Sequence, residues 1–454
     1  MRALLSVPIT FKFIKNALGL QSVQRDESIT ISAISNDTRN LSPKDLYVAI
    51  HGERYNGEDF IDEAKAKGAY TLSASREDAD VYVSDTGLAL LIIANSYKKL
   101  FNLREVVAIT GSVGKSTTKD LAAKILSYKY NIHATEGNLN NEIGVPFTVF
   151  GMKRNTEILI IEAGMNHKGE LSRISRCLEP TVAVITNIGH AHIGNLGSRE
   201  AIAHAKLEIT DGMKRKFMLI PHGEPLLDPS DTALTISDNS LDADFSLITR
   251  DEDDNSVLLE YNSPECHIPS LRLVSYSGHT KKCLAFALAL SSILGMRDDE
   301  ICSAVSEYNK TVTPPSEKIG NITVIDDSYN SSLEAVLLLL DGIKNKTVKH
   351  SAVLGDMLEL GEFAYELHER IGAEAARANL SKLYTFGQFA EIIKLGAVRA
   401  GMSDGCVFAN TDISAPEKTA KQILDNSSDE TVIFKASNKL KLGRIIDILK
   451  KDHQ

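Results

Sequence analysis

The apolar residues of this chain form short runs that are separated by amphipathic stretches. Residues 158–164 (ILIIEAG) and 181–189 (TVAVITNIG) are nearly continuous apolar runs, which is typical of strands buried on both faces of a parallel sheet. The stretches between such runs have the spacing of amphipathic helices. An alternation of buried strands and helices predicts an α/β protein.

The first hundred residues predict one α/β domain. Strand-like and helix-like segments alternate there, and turn residues separate them. We expect a strand and a helix within 1–20, strands at 29–34, 45–50 and 81–84, and helices at 60–67 and 88–100. The last helix ends just before the next apolar run, so the first domain is expected to cover residues 1–102.

The rest of the chain predicts two further α/β domains. From Val106 onward strand and helix patterns repeat, with a polar, hairpin-like stretch at 251–267 and an Ala- and Leu-rich helix at 281–294. We expect this central domain, with a mostly parallel sheet, to cover residues 103–312. Consecutive prolines in Thr313-Pro314-Pro315 forbid helix continuation and mark the best linker.

Four strand-like runs follow the linker, and each precedes a helical sequence. They read ITVIDDSYN, SAVLGDM, LYTFG and TVIFKAS. This pattern predicts a C-terminal, Rossmann-like open α/β domain over residues 313–454.

Composition limits the possible classes of function. With 454 residues the chain is too long for one hydrophobic core, and domains of about 150 residues suggest three. The net charge of -10 argues against general nucleic-acid binding, because no basic excess can displace phosphate counterions.

The five cysteines include no C-x-x-C pair, which indicates free thiols in a reducing cytosol. No run reaches the ~18 apolar residues that span a bilayer, and a cytoplasmic protein is expected.

Residues 106–118 (VVAITGSVGKSTT) have the shape of a phosphate-binding loop. A β-branched run leads into a glycine-flanked loop and then a helix, so that backbone amides and the positive helix end face one anion. Lys115 supplies a charge for the outer phosphates, and Ser116 or Thr117 supplies a hydroxyl for magnesium. The general pattern has an earlier glycine where this chain has Ile109. The residues expected to bind the nucleotide are Thr110, Gly111, Ser112, Val113, Gly114, Lys115, Ser116 and Thr117.

Polar residues at the ends of the next two buried strands predict a metal site beside this loop. Glu162 closes an apolar run, and a carboxylate there is costly to bury without a partner, which favours metal coordination. The following strand ends in TNIGHAHIG and places Asn187, His190 and His192 at the same edge of the sheet. For the two histidines, metal ligation and ordinary hydrogen bonding both stay open.

Two further segments are ambiguous from their residues alone. Lys206 lies in the helical stretch AHAKLEI and, on composition, is an ordinary solvated lysine. The loop at 135–144 (TEGNLNNEIG) is either a plain turn or a source of amides for phosphate or ribose hydroxyls, through Asn138, Asn140 and Asn141.

Six ordered motifs resemble those of the Mur ligases, which are ATP-dependent amide-forming enzymes of peptidoglycan precursor synthesis. The resemblance covers all three predicted domains, and residues 36–39 and 47–60 resemble a uridine-nucleotide-binding domain. It is strongest to the branch that adds D-alanyl-D-alanine to UDP-N-acetylmuramoyl-tripeptide. The motifs are TGSVGKST, GNLNNEIGVP, EAGMN, TNIGHAHIG, AKLEI and VLGDMLELGE.

The resemblance implies a chemical role for each motif. Lys115 and the loop amides would hold the phosphates of ATP, and Ser116 and Glu162 would bind one Mg²⁺. His192 matches the histidine of a second metal. Lys206 matches a lysine that carbon dioxide converts to a carbamate (N6-carboxylysine), an anion that can bind or orient a metal. Lys115, Lys206 and His192 are therefore the expected catalytic residues.

The resemblance also implies two small-molecule substrates, UDP-N-acetylmuramoyl-peptide and D-alanyl-D-alanine. Asn330 is expected at the adenine and ribose of ATP, and Asp356 and Glu359 lie in the stretch that faces the incoming amine. A monomer with no nucleic-acid or membrane partner is expected. The residues expected to bind substrates are Thr38, Arg39, Asn138, Asn140, Asn141 and Asp356.

The chain departs from the family pattern on the amine side and in the closure motifs. The usual G-x-H-N-x-x-N has Thr280 and Cys283 in place of both asparagines. Asn438 replaces the arginine of K-G-S-R and removes a guanidinium that could bind a carboxylate. Three alternatives stay open: a Mur-type ligase for another carboxylate and amine, a P-loop regulatory NTPase, and a non-catalytic scaffold. The absence of an N-K-x-D motif disfavours a GTPase.

Overall fold

The computed structural model describes residues 1–52, 55–215, 217–228, 232–253, 256–274, 278–311, 316–344, 346 and 348–452. The chain folds around three sheets of five, nine and six strands, each with helices packed on it. This arrangement confirms the three-domain α/β architecture that the sequence predicts. The expected Thr313-Pro314-Pro315 linker lies outside the described residues.

The N-terminal sheet has its five strands in chain order. Its first pair is antiparallel and the other neighbours are parallel. Its elements are β1 (Arg2–Thr10), α1 (Phe11–Leu18), β2 (Thr30–Ser35), β3 (Leu46–Val48), α2 (Ile61–Ala66), β4 (Tyr70–Ser73), β5 (Val81–Tyr82) and α3 (Thr86–Lys98).

Helix α3 joins the first domain to the second. Asp85 caps its N-terminus, and most of its surface is buried. The Asn95 side chain donates a hydrogen bond to the Cys177 carbonyl at 2.7 Å, and the Lys98 ammonium donates to the neighbouring Leu178 carbonyl. These polar contacts within an apolar interface fix the orientation of α3.

The central sheet is parallel over seven strands and then turns antiparallel. The elements are β6 (Glu105–Thr110), α4 (Lys115–Leu126), β7 (Ile132–Ala134), α5 (Gly144–Phe150), β8 (Ile158–Glu162), α6 (Glu170–Leu178), β9 (Val182–Ile185), α7 (Ile193–Leu196), α8 (Arg199–Leu207), β10 (Met218–Pro221), β11 (Ala233–Ser237), β12 (Phe245–Glu252), β13 (Ser256–Asn262), β14 (His267–Val274), α9 (Gly278–Ile293) and α10 (Asp298–Thr311). The strand order is β14-β13-β12-β11-β10-β9-β6-β8-β7.

The C-terminal sheet is parallel except for one edge strand. The elements are β15 (Ser316–Ile319), β16 (Ile322–Asp326), α11 (Leu333–Ile343), β17 (His350–Gly355), α12 (Ala364–Arg377), β18 (Leu383–Phe386), α13 (Ala390–Arg399), β19 (Val407–Asn410), α14 (Pro416–Asn426), β20 (Thr431–Lys435) and α15 (Gly443–Lys451). The strand order is β15-β16-β20-β17-β18-β19, with β15 antiparallel to β16.

The structure confirms the long elements and adds short ones. The predicted hairpin-like stretch at 251–267 contains the end of β12, all of β13 and the first residue of β14, which pair antiparallel, and the predicted Ala- and Leu-rich helix is α9. The strand expected at 45–50 is only the three residues of β3. The C-terminal sheet has six strands rather than four, because the edge strands β15 and β19 are only four residues long and partly exposed, so they carry little apolar pattern. Among the described helices, none is long and apolar enough to cross a membrane.

Two helices of the C-terminal domain approach each other through glycines. A Cβ atom on Gly372 of α12 would lie 1.9 Å from the Ile393 carbonyl oxygen of α13. A Cβ atom on Gly396 of α13 would lie 2.0 Å from the Glu369 carbonyl oxygen of α12. Only glycine at these positions lets the two backbones pack at this distance.

We predict that Gly372→Ala destabilises the protein by about 1–3 kcal/mol through overpacking. Gly443→Ala is the matched control, because no atom of the described residues lies within 4 Å of its added Cβ. Alanine there is expected to be neutral or to stabilise α15 by about 0.5–1 kcal/mol. Thermal unfolding followed by circular dichroism compares the two variants, and equal melting temperatures would contradict the packing argument.

Candidate active site

The candidate site lies at the carboxyl ends of β6, β8 and β9. Strand β6 lies between β8 and β9 in the central sheet, and all three run parallel. The chain runs from β6 to β7 and β8 on one side and then crosses back from β8 to β9 on the other side. Ligands collect at such a switch point in open α/β sheets.

The loop from Gly111 to Gly114 connects β6 to helix α4. Gly114 has φ +88° at the start of the helix, a left-handed conformation that favours glycine. Gly111 has φ +148°, and a Cβ there would lie 1.9 Å from the Thr186 hydroxyl oxygen. Both glycines of the predicted motif are therefore required by the backbone.

The segment after β9 holds this loop in place. Asn187 accepts from the Ser112 amide through its carbonyl oxygen at 3.2 Å and from the Val113 amide through its side chain at 2.9 Å. The Gly189 amide donates to the Ser112 hydroxyl at 2.9 Å, and Thr186 donates to the Val113 carbonyl at 2.6 Å. Asn187 is thus a loop support.

Two lysines predicted to be catalytic come together beside the loop. The Lys115 ammonium donates to the Gly111 carbonyl at 2.8 Å, and burial lowers its pKa while Glu162 acts in the opposite direction. Lys206 is only 2% exposed, so it is not the solvated lysine that its composition suggests. Burial, followed by the charge of Lys115, holds the pKa of Lys206 well below its ordinary value, while Glu334 acts to raise it.

Glu162 ends β8 and is 2% exposed. Its Oε1 accepts from the Asn140 side chain at 2.8 Å, and its amide donates to Thr135. Its Oε2 is buried and has no hydrogen-bond partner among the described residues. A buried carboxylate oxygen in that state is costly, and a cation is the natural partner for it.

The donor set around Glu162 fits a magnesium ion that is completed by phosphate and water oxygens. No group of three or more His, Cys, Asp or Glu in the described ranges is placed to hold a metal by itself. Magnesium usually keeps several waters and takes one or two protein carboxylates with substrate phosphates. Ser116, which is exposed at the first turn of α4, lies on the loop that such phosphates would occupy.

The two histidines of the same region bind glutamates of the C-terminal domain. His190 Nδ1 lies 2.5 Å from Glu334 Oε1, and His192 Nδ1 lies 2.6 Å from Glu359 Oε2. The Glu359 carbonyl also accepts from the Gly194 amide at 3.0 Å. Because its Nδ1 faces a carboxylate, the contact with Glu359 does not occupy Nε2 of His192, and metal ligation by that nitrogen stays a prediction.

Hydrogen bonds shift both glutamate carboxyls. Burial acts to raise the pKa of Glu334, but the hydrogen bonds with His190 outweigh it and leave the pKa below its ordinary value. The hydrogen bond with His192 holds the pKa of Glu359 below its ordinary value. Both carboxylates are therefore charged where they meet the central domain.

The asparagine-rich loop is a structured part of the site. Asn140 binds Glu162, whereas the Asn141 side chain accepts from the amides of Ile143 and Gly144 at the start of α5. Asn138 is exposed. The loop therefore supports the Glu162 carboxylate through Asn140, while Asn138 and Asn141 are exposed.

The remaining predicted residues lie in the outer domains. Asn330 accepts from Lys435 through its carbonyl oxygen at 2.7 Å, so Lys435 fixes the loop expected at adenine and ribose. Both Asp356 oxygens accept backbone amides, those of Gln388 and Phe389, at 2.8 and 2.9 Å. This aspartate is 5% exposed and orders the entry to α13, so a substrate contact by its side chain stays a prediction.

In the N-terminal domain, Arg39 is exposed and pairs with Asp37 at 2.7 Å. The neighbouring Thr38 is 7% exposed, and its carbonyl oxygen accepts from Lys67 at 2.8 Å. The sequence analysis does not name Glu334 or Thr186 as site residues, although Thr186 is the first residue of the TNIGHAHIG motif. For Glu334, the one local signal is its position directly after the Asn330 loop.

Comparison with known proteins agrees with this geometry. Models of three domains match the chain: "Mur ligase family, catalytic domain" at residues 30–107, "Mur ligase middle domain" at 109–271 and "Mur ligase, glutamate ligase domain" at 316–438. The UDP-N-acetylmuramoyl-tripeptide–D-alanyl-D-alanine ligase of Bacillus subtilis is 32% identical over 438 residues, which cover 92% of this chain and 93% of that protein.

The chain belongs to the Mur ligase family. The ligase of the same name from Escherichia coli is 29% identical, over 93% of this chain and 95% of that protein. Among solved structures, MurF of Acinetobacter baumannii has a TM-score of 0.87 at 24% identity and covers 98% of this chain and 99% of that one, which supports the fold. Thermotoga maritima MurF ligase in complex with ADP has a TM-score of 0.81 at 26% identity, over 92% and 97% of the two chains.

We predict that Gly111→Ala abolishes nucleotide binding, because the added carbon collides with Thr186 and displaces the loop. Gly137→Ala is the control: it also has a positive φ, +53°, but no atom of the described chain lies within 4 Å of its Cβ. Backbone strain there costs about 1–2 kcal/mol without a collision. Calorimetric titration with Mg-ADP distinguishes them, and wild-type affinity in Gly111→Ala would refute the assignment of the loop.

Proposed function

We propose that the chain is an ATP-dependent ligase that joins the carboxylate of UDP-N-acetylmuramoyl-tripeptide to the amine of D-alanyl-D-alanine. The observation that carries the proposal is that Lys115 of the phosphate-binding loop lies near both Glu162, whose buried Oε2 has no hydrogen-bond partner among the described residues, and the buried Lys206. The relatives that carry the name of this reaction cover nearly the whole chain and support the choice of substrates.

ATP supplies the activation that the amide bond requires. A carboxylate is a poor acyl donor in water, and transfer of the γ-phosphoryl group converts it to an acyl phosphate with phosphate as the leaving group. The amine then attacks the carbonyl carbon, loses a proton and displaces phosphate. The Lys115 ammonium and the amides of the loop 111–114 would neutralise charge on the transferred group.

A magnesium ion would be held by Glu162 and Ser116, with His192 at a second ion. Such an ion polarises phosphoryl oxygens and neutralises the charge that develops on them. Asn140 orients Glu162, and Glu359 orients His192 through Nδ1. These contacts would hold the oxygen and nitrogen donors in position before the nucleotide binds.

Lys206 would act as a carbamate. Carbon dioxide reacts only with a neutral amine, and the pKa of Lys206 is held well below its ordinary value by burial and by Lys115. The neutral amine nitrogen adds to carbon dioxide and releases a proton, which converts a neutral buried group into an anion next to Lys115. The carbamate would give the Lys115 ammonium an opposite charge in place of a neutral amine and would supply an oxygen ligand.

Each of the three domains would bind a different substrate. We assign residues 1–102 to the uridine-linked substrate through Thr38 and Arg39, 103–312 to ATP, and 313–454 to the amine, with Asn330 at the nucleoside. The three family matches, at 30–107, 109–271 and 316–438, support boundaries near these positions. Closure of the C-terminal domain would shield the acyl phosphate from water.

A second candidate keeps the reaction type and changes the amine. Asn438 stands where the family pattern has an arginine, and it begins a short 3₁₀ turn beside Ser437, whose hydroxyl accepts from the Leu358 amide. A carboxylate-bearing amine would lose a bidentate partner there. An amine with another polar end would suit the asparagine.

We predict that phosphate release requires ATP, the uridine-linked tripeptide and D-alanyl-D-alanine together. Lys115→Ala should lower this rate by about 100- to 1,000-fold, because it removes a charge that stabilises the transferred phosphoryl group. A panel of amines in the same assay identifies the acceptor. Full release with neither organic substrate would show a regulatory ATPase instead, and hydroxamate formation in the presence of hydroxylamine would report the acyl phosphate directly.

We predict a carbamate resonance at Lys206 in the ¹³C NMR spectrum of enzyme equilibrated with labelled bicarbonate. Lys206→Arg should lack this resonance and lower activity by about 10- to 100-fold, since it removes a metal-orienting group. Lys214→Arg, at an exposed site, is the control. An arginine variant with full activity would exclude the carbamate role.

A further inference from the structure

Glu334 is a residue of the C-terminal domain that reaches into the segment beside the phosphate-binding loop. It stands in the first turn of α11, where Ser332 caps the helix. Its Oε1 accepts from the His190 backbone amide at 2.9 Å and lies 2.5 Å from His190 Nδ1. One carboxylate oxygen thus fixes both the backbone and the ring of a central-domain residue.

The fit between Glu334 and the central domain is tight. A Cβ atom on Gly189 would lie 2.4 Å from the Glu334 carboxyl carbon, so only glycine leaves room for the carboxylate. The other oxygen, Oε2, is buried and has no hydrogen-bond partner among the described residues. The side chain is therefore inserted into the central domain rather than lying on its surface.

The segment that Glu334 holds is the same segment that holds the nucleotide loop. Gly189 donates to the Ser112 hydroxyl, and Asn187 accepts from the amides of Ser112 and Val113. Hydrogen bonds from Glu334 to His190 and from Gly189 to Ser112, joined by the peptide bond between Gly189 and His190, thus connect α11 to the loop. Each of these hydrogen bonds is between 2.5 and 3.2 Å.

We propose that Glu334 is a positioning residue for ATP, which acts across the domain interface by fixing the 187–190 segment and, through it, the phosphate-binding loop. The proposal rests on the proposed nucleotide-binding function of that loop. It makes the affinity for nucleotide depend on docking of the domain that carries the amine site. The alternative is that Glu334 weakens nucleotide binding, because a carboxylate repels nearby phosphates by charge alone.

The test measures Mg-ADP affinity of the full chain by calorimetry for the wild type, Glu334→Ala and Glu334→Gln. Alanine removes the acceptor, and we expect the dissociation constant to rise about tenfold. Glutamine keeps an acceptor for His190 and should stay within about twofold of the wild type. Glu391→Gln is the control, because Glu391 is also an acid at the second position of a helix, α13, but faces solvent.

A second pair of variants tests the position without removing the charge. Gly189→Ala should displace the Glu334 carboxylate and weaken Mg-ADP binding as much as Glu334→Ala does. In the Glu334→Ala background the same substitution should have little further effect, because the atoms it collides with are gone. Additive weakening in the double variant would overturn the proposal.

The outcomes separate the possible failures. Unchanged affinity in Glu334→Ala, even with a lower melting temperature, would show a merely structural contact and overturn the proposal. Tighter binding in both Glu334 variants would show repulsion and also overturn it. A wild type that binds no Mg-ADP would refute the proposed function itself. If the alanine variant does not fold, Glu334→Gln and Gly189→Ala carry the comparison, and loss of affinity in Gly189→Ala alone supports the proposal.

Discussion

The close approach between the phosphate-binding loop and the end of β9 shapes the whole site. Gly111 passes so near Thr186 that no side chain fits, and Asn187 accepts two loop amides. The loop is therefore shaped by a neighbouring strand as well as by its own glycines. Any group that positions the 186–190 segment also positions the loop, and the C-terminal domain supplies such a group.

Burial of charge is the second organising feature. Lys206 and Glu162 are buried, Lys115 and Glu334 lie partly buried beside them, and unpaired charges in such a region are costly. The arrangement is stabilised once phosphate, magnesium and a carbamate supply the missing opposite charges. A site with such unbalanced charges favours the binding of an anionic, metal-chelating substrate, at a cost to the stability of the fold.

The sequence alone predicts those features that depend on local residue patterns. The P-loop at 106–118, Glu162 at the end of a buried strand and the parallel sheet all follow from periodicity and turn chemistry. The roles of Lys206 and His192 came only from resemblance to a family, because burial of a lysine on a polar helix has no local signature. The Glu334–His190 pair joins residues 144 positions apart and depends on how two domains dock, which no local pattern encodes.

A crystal structure with a non-hydrolysable ATP analogue and Mn²⁺, located by its anomalous scattering, tests the proposed site most directly. We expect the triphosphate against the amides of residues 111–116 and the metal bound by the free oxygen of Glu162. A nucleotide bound elsewhere, or a metal remote from Glu162, would contradict the assignment of the site.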